Sequence, residues 1–77
     1  MEFGNIGNLV GRTVRLEDSS GCGVYYQGKL ELHLMQGLYR IREPIKIYPD
    51  GRKEKQGGWR TVREKDFEEG RLSSLPH

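Results

Sequence analysis

From Val24 to Leu34 the side chains alternate. Val24, Tyr26, Leu30, Leu32 and Leu34 share one parity, and Tyr25, Gln27, Lys29, Glu31 and His33 share the other. A period of two puts successive side chains on opposite faces of a ribbon, so this stretch predicts a long, half-buried strand. Gly28 falls on the apolar parity. A glycine there permits a sharp bend, and a bent strand serving two sheets is how a small barrel turns a corner. Arg12 to Glu17 alternates likewise, with Val14 and Leu16 inward, and stops at the turn Asp18-Ser19-Ser20-Gly21. Leu38 to Glu43 resumes as a strand. The parity of Tyr39 and Ile41 runs on past Glu43 through Ile45 and Ile47. Read this way, Arg40, Arg42, Lys46 and Tyr48 share one outward face. Pro44 has no N–H to give a ladder and marks an edge or a bulge.

Pro49-Asp50-Gly51 is a turn on chemical grounds: Pro presets φ, Asp bonds nearby backbone, and Gly accepts positive φ. Residues 45–58 therefore read as a hairpin with a polar, mobile return arm. Trp59 to Arg63 comes back as a strand whose pattern leaves both faces open, with Val62 favoured as the inward residue. Lys65 to Gly70 reads as one helical turn ended by glycine, with Phe67 and Leu72 as its core anchors. The predicted strands are 12–17, 24–34, 38–43, 45–48 and 59–63. Their short spacing predicts an all-β fold: a small five-stranded, strongly bent antiparallel barrel with one short C-terminal helical turn. The domain runs from 12 to 72. Residues 1–11, rich in Gly and Asn, support at most one helical turn, with Phe3, Ile6, Leu9 and Val10 against a core edge. Residues 73–77 read as a tail, disordered beyond Leu75.

Composition narrows the chemistry. With 77 residues, 34% of them hydrophobic, the chain builds only a small core. Its single cysteine, Cys22, forms no internal disulfide and suits a reducing, cytoplasmic setting. Residues 1–4 show neither the basic nor the apolar region of a secretory signal, and no apolar run approaches membrane-spanning length. His33 and His77 stand too far apart for a zinc site, so neither metal nor cofactor is expected. Glu68 and Glu69 are adjacent and do not converge, and no nucleophile set or phosphate loop occurs. An enzyme is not expected.

Charge adds a direction. The chain carries 13 Lys and Arg against 11 Asp and Glu. The basic residues concentrate: Arg40, Arg42, Lys46, Arg52, Lys53, Lys55, Arg60, Arg63 and Lys65 fall between 40 and 65, with only Glu43, Asp50, Glu54 and Glu64 opposing them. Such a local excess attracts phosphates even on a nearly neutral molecule. Tyr48 and Trp59 interleave with it, and exposed aromatics stack bases. The expected nucleic-acid-binding set is Arg40, Arg42, Lys46, Tyr48, Arg52, Lys53, Lys55, Trp59 and Arg60, with Tyr25 as an outlying candidate and RNA and DNA equally open. The competing expectation is that the chain is a protein-interaction module, a small adaptor or an inhibitor from a phage or other mobile element, docking on a protein partner through a sheet edge or the hairpin. Charged solvent faces and lysine-guarded edges are also ordinary in small domains. A small core gains from association with further copies of itself, so a homo-oligomer is compatible with either reading.

The order of signals resembles the Sm-like proteins, whose fold is the bent small barrel of Src-homology-3-like domains. Val14-Arg15-Leu16-Glu17-Asp18 looks like the family's first strand and turn, and Gly28-Lys29-Leu30 like its central glycine and following leucine. Met35-Gln36-Gly37-Leu38 is similar in place to its base-contacting loop, though His33 and Gln36 stand near where the family carries Asp and Asn. Val62-Arg63-Glu64-Lys65-Asp66 looks like its late strand and basic turn. The resemblance covers roughly 12–67 and implies the barrel fold and RNA binding.

Overall fold

A computed structural model describes residues 6–32 and 38–75. Within them lie a 3₁₀ turn at Ile6–Leu9 and seven strands. These are β1 (Thr13–Glu17), β2 (Tyr25–Leu32), β3 (Leu38–Arg42), β4 (Ile45–Ile47), β5 (Lys53–Lys55), β6 (Trp59–Arg63) and β7 (Leu72–Ser74). One helix, α1 (Glu64–Glu68), joins β6 to β7. The all-β class and the C-terminal helical turn are as the sequence predicts. Phe3, the strand end at His33 and Leu34, the connection Met35-Gln36-Gly37, and His77 lie outside the described residues.

β2 organises the fold. Along one edge it pairs with β1, from Thr13 opposite Lys29 to Glu17 opposite Tyr25. Its other edge is divided: Tyr25 to Gln27 pair with β4, and Leu30 to Leu32 pair with β3. β2 thus belongs to two antiparallel sheets, β5-β4-β2-β1-β7 and β2-β3-β6. The break falls at Gly28. A Cβ built there would lie 2.5 Å from Cγ2 of Ile41, so only glycine lets the second sheet fold this closely over the first. Among the described residues no ladder joins β6 to β7, and α1 bridges that side.

The apolar parity of β1 and β2 supplies the core. Val14, Leu30, Ile41 and Val62 are fully buried, with Ile6, Leu16, Val24, Tyr26 and Leu72 around them. Each such aliphatic side chain contributes about 1.5–3 kcal/mol of burial. Phe67 packs against this cluster from α1, and Leu72 enters it from β7. The Asp66 carboxylate accepts the Arg63 N–H at 2.9 Å and pairs with the Arg71 guanidinium, fixing both ends of the helical turn. The expected tail begins as a strand: Leu72 pairs with Leu16, and Ser74 with Val14.

Two expectations are corrected: the described residues hold seven strands rather than five, the hairpin's return arm pairing with β4 as β5, and the side-chain parity changes beyond Arg42. Leu30 pairs with Ile41, yet Gln27 pairs with Ile45. Three steps on β2 match four on its neighbour, so Arg42-Glu43-Pro44 holds one extra residue, a β-bulge. Glu43 takes φ 46 there. The bulge reverses the parity that the sequence carries through it. Lys46 pairs with core-facing Tyr26, whereas Arg40 pairs with outward Glu31. Lys46 and Tyr48 therefore leave the face of Arg40 and Arg42; of the two isoleucines predicted inward, Ile45 is 37% exposed and Ile47 is buried. A second offset follows at Gln56-Gly57-Gly58, since Arg42 pairs with Trp59 but Ile45 with Lys55. The two bulges are tied together: the Glu43 N–H donates to the Gly58 carbonyl at 2.7 Å.

Candidate nucleic-acid interface

The bulges distribute the predicted basic and aromatic residues over three surfaces. On the outward face of β3 and β6, Arg42 stands opposite Trp59, and Arg40 opposite Thr61. The Arg40 guanidinium lies 5.0 Å from the Trp59 ring centroid. Trp59 is 56% exposed, although a tryptophan in a strand usually finds cover. Arg40, Arg42, Glu43, Gly58 and Trp59 line one open cleft of about 290 Å³. Beneath it, Glu31 of β2 holds both arginines at 3.3 Å through their Nε atoms. The bond orients the guanidinium planes and cancels part of their charge. Arg42 is the more accessible of the two, with 58% of its side chain exposed.

The second surface is the core-side mouth of the β4–β5 hairpin. The Tyr48 hydroxyl donates to Glu54 at 2.9 Å. The Arg52 guanidinium lies 4.3 Å from the Tyr48 ring and the Lys46 ammonium 5.0 Å from it. Cation–π attraction holds such groups at a ring face, and Tyr48 also packs against the core. Its ring is thus committed to its own neighbours. Arg60 points to this side too, 3.7 Å from the Tyr26 ring. It lines a pocket of about 130 Å³ with Leu16, Asp18, Asp66 and Arg71. The third surface is the outward face of the first sheet. There Lys53 and Lys55 stand opposite Ile47 and Ile45, and Arg15 lies 4.0 Å from the Tyr25 ring.

Local hydrogen bonds shift the titration of several groups. The hydrogen bond with Tyr48 raises the Lys46 ammonium above its ordinary value, keeping it charged. The Arg52 backbone N–H, 3.0 Å from Asp50, lowers that carboxylate and pins the hairpin tip. The Ser20 hydroxyl bonds both Asp18 and the Cys22 sulfur at 2.9 Å, lowering both. Cys22 is exposed, and no group of ligating side chains suited to a metal ion occurs among the described residues.

Of the nine predicted residues, the structure therefore brings Arg40, Arg42 and Trp59 into one site. It sends Lys46, Tyr48, Arg52 and Arg60 to another surface, and Lys53 and Lys55 to a third. Two residues of the cleft region escape sequence reading. Glu31 lies on the outward parity of β2, but its position opposite Arg40 depends on a connection whose length hides the register. Glu43 is one more acidic residue before a proline until the bulge is seen. No protein-family model matches the chain, and no curated protein matches it in sequence.

Proposed function

We propose that the chain is a non-enzymatic module that binds single-stranded nucleic acid, RNA or DNA, on the outward face of β3 and β6. An Sm-like or Src-homology-3-like barrel is the fold type this reading assumes. The observation that carries it is the exposed indole of Trp59 beside two arginines in one open cleft. A base stacks on the indole, and Arg42, with Arg40 behind it, meets the adjoining phosphate. A single strand suits the site because its bases are unstacked and reachable. The exposed free Cys22 is in keeping with a reducing compartment such as the cytoplasm.

Trp59 is the one tryptophan of the chain, so its fluorescence reports the site directly. Titration with mixed-sequence oligonucleotides at about 50 mM salt should quench it, with affinity falling as salt rises. Trp59→Ala should weaken binding by about 1–3 kcal/mol, measured by anisotropy of a labelled strand. Absence of quenching at low salt overturns the reading. A protein partner is the second reading, and the exposed Ile45 beside the β5 edge favours it. A complex that resists both nuclease and salt would favour that alternative.

A further inference from the structure

Glu43 is the one non-glycine residue with positive φ among the described residues, the others being Gly11, Gly21, Gly23, Gly51, Gly58 and Gly70. A side chain in this conformation costs stability that glycine would spare. The backbone of Glu43 has a structural role in bonding Gly58, but any residue supplies that N–H. Its carboxylate makes no hydrogen bond or ion pair with any described residue, though it lines the cleft with Arg40, Arg42 and Trp59. The side chain has no structural return for its strain, and its residue shares the open cleft with the Trp59 indole.

We propose that Glu43 reads the base stacked on Trp59 and selects guanine. This rests on the nucleic-acid reading above. An ionised carboxylate only accepts hydrogen bonds, through two oxygens side by side. Guanine alone among the common bases offers two neighbouring donors on one edge, N1–H and the N2 amino group. Adenine and cytosine offer one amino group, and uracil and thymine a single imino N–H. Arg42 stays on the adjoining phosphate, so the choice of base falls to Glu43 alone. Uracil lacks the paired donors and gains at most one bond from the carboxylate, which makes the choice unequal.

The experiment uses Trp59 quenching by short oligouridylates carrying one central guanine, inosine, adenine or cytosine, against the all-uridine strand. Guanine should bind about tenfold more tightly than uracil, and inosine, which lacks the N2 amino group, should lose most of that gain. In Glu43→Gln the preference for guanine over uracil should shrink to about twofold, with guanine and inosine becoming equivalent. A matching circular dichroism melt shows that the variant is folded. Equal binding of all strands by the parent protein overturns the selection while leaving the nucleic-acid reading standing. A guanine preference that survives in folded Glu43→Gln assigns the selection elsewhere and overturns the role of Glu43. No quenching by any strand removes both readings at once.

Discussion

Gly28 shows how much of this architecture depends on the absence of one carbon. Its neighbour across the bend, Ile41, is fully buried among Leu30, Val14 and Val62 and has no room to swing aside. Gly28→Ala should therefore destabilise the fold by about 1–3 kcal/mol, the ordinary range for overpacking a core. Urea unfolding checks it: the midpoint should drop while the slope holds. This residue is readable from the sequence alone, because a glycine on the apolar parity of an otherwise unbroken alternation marks a bend or a close backbone approach. Glu43 is not readable in that way. Its importance lies in a backbone angle and an unpartnered carboxylate, and neither leaves a mark in residue type.

At the scale of elements, one side chain ties the C-terminal helix to the strand that follows it. Asp66 caps α1, pairs with Arg71 and so delivers Leu72 to the core. Asp66→Ala removes both interactions and should cost about 2 kcal/mol, while Asp66→Asn keeps the cap and should cost about half as much. Thermal unfolding of the two variants separates the contributions. β7 itself is invisible in the sequence: Leu72-Ser73-Ser74 carries a single apolar residue, and its pairing with β1 is what makes it a strand. Strands β1 and β2 are legible because alternation outlasts local noise, whereas β6 sets Trp59 and Val62 on opposite parities and leaves its buried face open. The hairpin is legible as a hairpin, since Pro49-Asp50-Gly51 can hardly be anything else. The side on which its residues fall is not. Parity extrapolated through Arg42-Glu43-Pro44 groups Tyr48 with Arg40, and the bulge separates them. Alternation is a reliable guide only between irregularities, and the candidate site sits on one.

At the scale of the molecule, basic charge that looks concentrated along the chain is spread around the fold. Only Arg40 and Arg42 accompany Trp59, and Glu31 offsets part of their charge. Binding should thus be weak and its salt dependence shallow. About two phosphate contacts give a log–log slope near −1.4, and Arg42→Ala should reduce its magnitude by about 0.7. Arg52→Glu with Lys53→Glu, on the other surfaces, should leave the slope nearly unchanged. A fall as large as that of Arg42→Ala would mean that the hairpin and the cleft bind as one surface. The extra residue at Glu43 also bears on how such a chain can change over generations. Loops elsewhere can gain or lose a position and remain loops. Removing a single codon here would turn the following hairpin over like a page, taking Ile47 out of its buried place and Tyr48 off the core. Point substitution is thus open to this corner of the chain, and length variation is closed to it.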